Sequence, residues 1–215
     1  MIRYGVLILL FVVSAATPAF ADDAVKGWKT IYDGKSFAGW KKTENMDSWN
    51  IVDGNLQCSG ERSHLFYVGD DKPFRNFELE CECLTSENSN AGIYFHTKLQ
   101  EQGWPKYGYE CQVNISHSDP KKTGSLYGVV NVSADDLKGV VKDSEWYKTY
   151  IKVEGRHIII KINDKVTVDY TEEDGREAFS NDFERRLGDG GTFALQAHDP
   201  KSVVSFRNIK VRRLP

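Results

Sequence analysis

The chain has 215 residues, with 28 basic and 31 acidic side chains and a formal net charge of -3 at pH 7. This balance gives no electrostatic reason to bind nucleic acid, which is therefore excluded as an expected partner. Aromatic residues make up 12% of the chain, and their flat rings with polar edges suit the faces of sugars as well as a protein core.

The N-terminal segment has the features of a secretory signal peptide. Arg3 precedes an apolar run over residues 5–13, and Ala19-Phe20-Ala21 supplies the small residues of a cleavage site. The apolar run is much too short to span a membrane. We therefore expect residues 1–21 to be removed during export. Residues 22–215 should form one soluble domain of the bacterial envelope, secreted or periplasmic and not attached to a membrane.

Strand patterns dominate the rest of the chain. Two short extended runs flank Asp53-Gly54, which predicts a hairpin over residues 49–58. Three further runs between residues 146 and 170 predict a meander, and one short helix is expected over residues 181–187, before Gly188. About a dozen strands at this spacing predict an all-β fold of two packed antiparallel sheets, with a closed barrel as the alternative.

The four cysteines, at positions 58, 81, 83 and 111, do not form a dense disulfide pattern, although an exported protein could contain disulfides. Cys81 and Cys83 are two residues apart, so in a strand they point to the same side as Phe77 and Leu79. We interpret them as small buried hydrophobic residues. A zinc site is less favoured because no second Cys/His pair stands at finger-like spacing.

Period-two alternation identifies candidate site residues on several strands. In residues 109–115, Tyr109, Cys111, Val113 and Ile115 face one side, whereas Glu110, Gln112 and Asn114 face the other. The same pattern places further polar side chains opposite apolar ones: Tyr94, His96, Gln196, His198 and Arg207. A solvated outer sheet is the simpler interpretation, and it suits Glu78, Glu80 and Glu82. Recurring amides, imidazoles and tyrosines instead indicate a site.

The remaining histidines, His64, His117 and His157, are interpreted as surface or capping residues. Each stands at the start of a predicted strand or in a predicted loop.

Segments along nearly the whole predicted mature chain together resemble the 3-keto-disaccharide hydrolase domain family. They include Ile31-Tyr32-Asp33-Gly34-Lys35-Ser36-Phe37-Ala38-Gly39-Trp40, Asn90-Ala91-Gly92-Ile93-Tyr94-Phe95, Gly108-Tyr109-Glu110-Cys111-Gln112-Val113, Thr123-Gly124-Ser125-Leu126-Tyr127 and Leu195-Gln196-Ala197-His198. The resemblance implies a concanavalin A-like jelly-roll sandwich and an enzyme that attacks sugars oxidised to a ketone at carbon 3. The family's polar cleft is expected to include Glu110, Gln112, Gln196 and His198. The chain has His96 and Ile115 where the family usually has Arg and often has Asp, respectively.

The proposed substrate suggests the chemistry. A ketone at carbon 3 acidifies the hydrogen on carbon 2, so a base can remove it and the glycosidic oxygen can leave carbon 1, after which water adds to the enone. Glu110 or His198 is the expected catalytic base, with Gln112, Gln196, Tyr127 or His96 donating to the developing oxyanion. Tyr94 and Arg207 are further expected to bind substrate. A divalent metal could replace some of these donors.

Two alternative functions remain open. One is a conventional glycosidase on the same fold, and the other is a non-catalytic carbohydrate-binding module. Aromatic residues such as Trp104 and Tyr107 favour the second. The sequence leaves the oligomeric state open.

Overall fold

A computed structural model describes residues 27–215, so the predicted signal peptide lies outside the described residues. Thirteen strands and two short 3₁₀ helices make up its regular structure. The strands are β1 (Lys29–Thr30), β2 (Trp40–Glu44), β3 (Trp49–Val52), β4 (Asn55–Ser59), β5 (Ser63–Tyr67), β6 (Phe77–Thr85), β7 (Asn90–Thr97), β8 (Tyr109–Asn114), β9 (Tyr147–Glu154), β10 (His157–Ile162), β11 (Lys165–Thr171), β12 (Thr192–Ala197) and β13 (Val203–Arg213). The 3₁₀ helices cover Met46–Ser48 and Asp135–Leu137.

The strands form two sheets. The larger has the order β11-β10-β9-β6-β13-β4-β3, with β1 also paired to β13, and the smaller has the order β2-β5-β12-β7-β8. Every strand pair in the described residues is antiparallel. The predicted two-sheet antiparallel sandwich is therefore confirmed, and the barrel alternative is wrong.

The core lies between the sheets and follows the alternation read from the sequence. Phe77 of the larger sheet contacts Phe193 of the smaller sheet, with ring centroids 5.0 Å apart. Burying an aromatic side chain of this size stabilises a fold by about 1.5–3 kcal/mol. Cys81, Cys83 and Cys111 are buried in the same layer, and all four cysteines are free. The prediction that these three point inward is confirmed.

Local turn chemistry fixes the predicted hairpins. β3 and β4 pair across Asp53-Gly54, and β9, β10 and β11 form the predicted meander. Asn163 and Asp164, between β10 and β11, both have positive φ, at 45° and 68°. This is the primed turn geometry that matches strand twist, and Asn and Asp tolerate it better than most residues.

The helix predicted over residues 181–187 is wrong. This segment is an irregular loop in which Ser180 N donates to Phe183 O and Glu184 N donates to Lys106 O, a distant residue. Arg185 has a φ of +44°, which a right-handed helix does not allow. Contacts with the rest of the protein thus override the local preference for helix.

The outward side of β6, predicted as a solvated face, carries ion pairs, and Glu78 on it is buried. Glu82 accepts a hydrogen bond from Arg207 Nε at 2.7 Å, and Glu80 lies 3.3 Å from Lys210 Nζ. Glu78 pairs with Arg212 in the same way. These contacts occupy the outer face of the larger sheet.

Candidate active site

A cleft of about 300 Å³ opens on the outer face of the smaller sheet. Its floor comes from β7, β8 and β12, whose core-facing residues alternate with the cleft residues. Loops supply the walls, so the sheet fixes the floor while the wall residues depend on the loops. The lining residues are Asn90, Tyr94, Trp104, Pro105, Lys106, Gly108, Glu110, Gln112, Asp119, Tyr127, Phe183, Arg185, Gln196 and His198.

Glu110 lies at the centre of a hydrogen-bond network on this floor. Gln196 Nε2 donates to Glu110 Oε1 and to the Tyr94 hydroxyl, each at 3.0 Å. Burial raises the pKa of Glu110 to about 7, although hydrogen bonds from Tyr94 and Gln196 and the charge of Arg185 act to lower it. A carboxyl group that titrates near neutral pH can both accept and return a proton.

Gly92 makes room for this carboxyl group. A Cβ atom built at Gly92 would lie 2.3 Å from Glu110 Oε1, well inside van der Waals contact. Gly92 pairs with Gln112 on β8, and Tyr94 pairs with Glu110. The side chain of Glu110 therefore lies across the backbone of β7 at a residue that has no side chain.

We expect Gly92→Ala to move the carboxyl group toward solvent and lower the pKa of Glu110 toward its ordinary value near 4.5. Carbon-13 NMR titration of the glutamate carboxyl groups measures this, with Glu110→Gln identifying the resonance. Gly188→Ala is the matched control, because a Cβ there meets nothing within 4 Å. A Gly92→Ala variant that keeps the pKa near 7 would contradict this assignment.

His198 lies at the cleft rim, held by its neighbour in sequence. Its Nδ1 atom is 2.9 Å from Asp199 Oδ2 and donates to it, leaving Nε2 as the ring nitrogen available to a ligand. Partial burial acts to raise the pKa of Asp199, but hydrogen bonds from Ser202 and His198 hold it below its ordinary value. Asp199 thus stays ionised and orients the imidazole ring.

The connection that carries this pair runs from β12 in one sheet to β13 in the other. Ser202 Oγ donates to Asp199 at 2.7 Å and accepts from the backbone of Asn90 at 2.8 Å. His198 makes no ion pair with Glu110 within residues 27–215; each has its own partners. The two side chains are therefore held in the cleft by separate partners and not by a contact with each other.

Trp104 forms an aromatic wall beside His198, with ring centroids 5.3 Å apart. His64 supports this wall from below, 5.6 Å from Trp104 and 5.7 Å from Tyr94. His64 is only 1% exposed, and burial lowers its pKa to about 3. Its interpretation as a surface or capping residue is wrong: it is a neutral packing residue.

Three cleft residues carry a buried amide oxygen for which the described residues provide no donor. They are Asn90, Gln112 and Gln196. Unpaired buried polar groups are rare in folded proteins and commonly mark functional positions. The three oxygens lie beneath the cleft surface, because each is almost fully shielded from solvent.

Two predicted site residues lie elsewhere. His96 has a φ of +54°, and the pairing of β7 with β12 shifts register beside it, so the alternation breaks there. Its Nε2 donates to the carbonyl of Arg75 at 2.8 Å, away from the cleft. Arg207 belongs to the other sheet, where it stacks on Trp146 at 3.9 Å. Tyr94, Glu110, Gln112, Tyr127, Gln196 and His198 do line the cleft.

Asp119, Arg185 and Asn90 are cleft residues that sequence reasoning missed. Asp119 Oδ2 accepts a hydrogen bond from the Tyr127 hydroxyl at 3.0 Å. Burial raises the pKa of Tyr127 to about 12, so this group remains a hydrogen-bond donor at neutral pH. Asp119 and Arg185 stand in loops without periodicity, so only the polar character of those loops could have indicated them.

The other two histidines differ in setting. His117 lies near the cleft, 5.7 Å from the ring of His198. His157 is on the outer meander and pairs with Asp169 at 2.7 Å, in agreement with its surface interpretation.

In residues 27–215, no three His, Cys, Asp or Glu side chains are grouped so that they could hold a metal ion. The described side chains thus provide no ligand set for the divalent metal considered from the sequence.

The fold and cleft define a jelly-roll sandwich protein whose candidate site is a cleft on the outer face of its smaller sheet. The chain belongs to the 3-keto-alpha-glucoside-1,2-lyase-like domain family, whose model matches residues 27–212. It is 28% identical to a protein of Bacteroides thetaiotaomicron named 3-keto-disaccharide hydrolase, over 87% of this chain and 79% of that protein.

Solved structures share the fold. One from Parabacteroides distasonis, named "putative glycosyl hydrolase", superposes with a TM-score of 0.72 at 21% identity, over 91% of this chain and 97% of that one. A second from the same organism, named likewise, has a TM-score of 0.67 at 25% identity, over 87% and 99%. The carbohydrate-binding module CBM66 of Bacillus subtilis has a TM-score of 0.54 at 14% identity, over 80% and 94%, which is a likeness of fold alone.

Proposed function

We propose that this protein is a glycoside-cleaving enzyme that acts on 3-keto-glycosides or 3-keto-disaccharides. The observation that carries the proposal is the half-buried Glu110, whose pKa is raised to about 7, on the floor of a polar cleft. Membership of the family and the name of the Bacteroides relative support the substrate class. The Trp104 wall supports a sugar ligand.

In the proposed reaction Glu110 accepts the hydrogen on carbon 2 as a proton. The electrons of that C–H bond form a double bond between carbons 2 and 3, and the carbon 3 carbonyl becomes an enolate oxygen. When the carbonyl re-forms, a double bond forms between carbons 1 and 2 and the bond from carbon 1 to the glycosidic oxygen breaks. In its doubly protonated form, His198 supplies the proton that the leaving oxygen needs from Nε2, while Nδ1 keeps donating to Asp199. Water then adds to the enone and yields the free 3-keto sugar.

A conventional glycosidase is the second candidate, because Glu110 and Asp119 line the same cleft. Such enzymes use one carboxylic acid and one carboxylate on either side of the glycosidic bond. The raised pKa of Glu110 would suit the acid. A non-catalytic binding module is the third candidate, and it rests on the aromatic wall.

One assay separates the three candidates. The protein is incubated with an aryl glucoside before and after oxidation at carbon 3, and release of the phenol is followed by absorbance. The proposed function expects release only from the oxidised compound. Release from the unoxidised glucoside would establish a conventional glycosidase. Binding of either compound without release would establish a binding module.

We also propose that residues 1–21 are removed during export and that residues 22–215 act as one domain, secreted or periplasmic. Ala19-Phe20-Ala21 supports cleavage after Ala21. No helix among residues 27–215 is long and apolar enough to cross a membrane. N-terminal sequencing of the protein exported by a bacterial host tests the cleavage, and a retained Met1 would overturn it.

A further inference from the structure

Arg185 is a cleft residue whose guanidinium group is held in place but has no hydrogen-bond acceptor. It stacks on three aromatic rings, with its central carbon 4.1 Å from the ring centroid of Phe179, 5.2 Å from Tyr127 and 5.5 Å from Phe183. No carboxylate or other acceptor within residues 27–215 bonds to its side chain. A guanidinium group carries five N–H donors, so these remain available at the cleft wall.

The neighbouring arginines of the same loop are used differently. Arg176 Nε donates to the carbonyl of Arg185 at 2.9 Å and its Nη1 donates to the Tyr170 hydroxyl. Arg186 pairs with Glu184 at 3.0 Å. These two arginines bind the loop to itself and to β11, whereas Arg185 lines the cleft. The contrast indicates that the donors of Arg185 serve a ligand.

The backbone around Arg185 is built to hold it there. Glu184 N donates to Lys106 O, and Leu187 N donates to the buried carboxylate of Glu172 at 2.7 Å. On the facing loop, a Cβ atom at Gly128 would lie 2.0 Å from Arg185 Nη1, so a side chain there would displace the guanidinium group from its present position. The donors are therefore positioned before any substrate arrives, which is what electrostatic stabilisation of a transition state requires.

We propose that Arg185 holds the carbon 3 oxygen of the substrate and stabilises the negative charge that develops there as Glu110 removes the proton from carbon 2. This inference rests on the proposed function and names the group that stabilises the enolate oxygen while Glu110 acts as the base. The proton goes to the Glu110 carboxylate, the electron pair of the broken C–H bond forms the double bond between carbons 2 and 3, and the π electron pair of the carbonyl moves to the carbon 3 oxygen. The guanidinium group donates hydrogen bonds to that oxygen and neither gains nor loses a proton.

The position of Arg185 relative to the base fits this role. Its positive charge acts on the Glu110 carboxyl, which Tyr94, Tyr127 and Asp119 also face. Both groups line one cleft large enough for a sugar ring. Carbons 2 and 3 of that ring are directly bonded, so a base and a donor that share one small cleft can reach both.

Three variants test the proposal on the 3-keto aryl glucoside. Arg185→Met keeps a long side chain against the rings but removes the donors, and it should lower kcat by about 10²–10³-fold with little change in KM. Arg185→Lys keeps the positive charge but loses the planar array of donors, so its kcat should lie between those of Arg185→Met and wild type. Lys121→Met is the matched control, because Lys121 also lies over the Tyr127 ring, at 4.6 Å, but does not line the cleft.

Two further readouts separate this role from a structural one. Because the charge of Arg185 lowers the pKa of Glu110, Arg185→Met should move the acid limb of the pH–rate profile to higher pH. The exchange of the carbon 2 hydrogen of 3-keto-glucose for deuterium, followed by proton NMR, should slow by the same factor as kcat, since exchange needs the enolate but no bond cleavage.

The outcomes are distinct. If wild type cleaves the 3-keto glucoside and Arg185→Met exchanges deuterium at the wild-type rate, this inference is overturned and the proposed function stands. If thermal melts show that a lower folded fraction of Arg185→Met accounts for its lost activity, the role of Arg185 is structural and the inference is also overturned. If wild type neither exchanges deuterium nor cleaves the 3-keto glucoside, the proposed function falls and this inference with it.

Discussion

Glu110→Gln is expected to lower turnover of a 3-keto glucoside by about 10²–10⁴-fold, the usual contribution of a general acid or base. The amide keeps the shape of the side chain but cannot accept the proton from carbon 2. In the wild-type protein, kcat/KM should fall as the pH drops below about 7, because the base must be ionised and burial raises its pKa to that value. Steady-state kinetics across pH 5–9 measure both effects, and Glu145→Gln, at an exposed loop carboxylate, is the control.

The same substitution should stabilise the protein at neutral pH. The pKa of Glu110 is raised from 4.5 to about 7 in the folded protein. The contribution of its protonated form to stability is therefore full below pH 4.5 and is lost as the pH rises to about 7. Glutamine stays neutral throughout. The melting temperature of the variant relative to wild type should accordingly rise across this window and then level off.

A variant that unfolds more easily than wild type at pH 8 would contradict this account. It would mean that the ionised carboxylate is an essential structural partner of Gln196 and Tyr94. Loss of a hydrogen bond to a buried charged group costs about 1.5–3 kcal/mol, which thermal melts detect.

His198→Gln is expected to reduce turnover of the same substrate by about 10²-fold or more, because it removes the ring nitrogen that we propose protonates the leaving oxygen. Asp199→Asn should have a smaller effect in the same direction, since Asp199 acts by orienting His198 through Nδ1. Kinetics on an aryl series with leaving groups of different pKa provide the check. A good leaving group needs no acid, so the defect of His198→Gln should shrink as the phenol becomes more acidic.

His157→Gln is the matched control, because His157 also pairs with an aspartate but lies on the outer meander. It should keep wild-type kinetics. An equal defect for all leaving groups in His198→Gln would instead assign His198 to substrate binding.

The sequence allowed much of the floor of the cleft to be predicted. Alternation in β8 and β12 put Glu110, Gln112 and Gln196 on one side and their core neighbours on the other, and the sheet keeps that phase because a one-residue slip would expose the core. The same rule could not say which sheet a strand joins. Alternation therefore predicted Arg207 as a site residue, although its strand lies in the larger sheet.

The errors have identifiable physical causes. Alternation in the sequence places His96 on the cleft side of β7. In the structure, the left-handed backbone of His96 and the register shift beside it turn its side chain away from the cleft. The helix predicted near Arg185 does not form, because the backbone there makes hydrogen bonds with residues outside the segment. Asp119 and Arg185 depend on how loops fold over the sheet, which no local periodicity encodes.

The connection between β12 and β13 links the chemistry to the relative motion of the two sheets. His198 and Asp199 stand on a short segment whose ends belong to different layers of the sandwich. If heating loosens the packing around the buried Phe206, sliding of one layer over the other would displace the imidazole. We expect reversible loss of activity at temperatures below the melting transition, so that the useful thermal range of this protein is set by the stiffness of its interlayer packing and not by its unfolding.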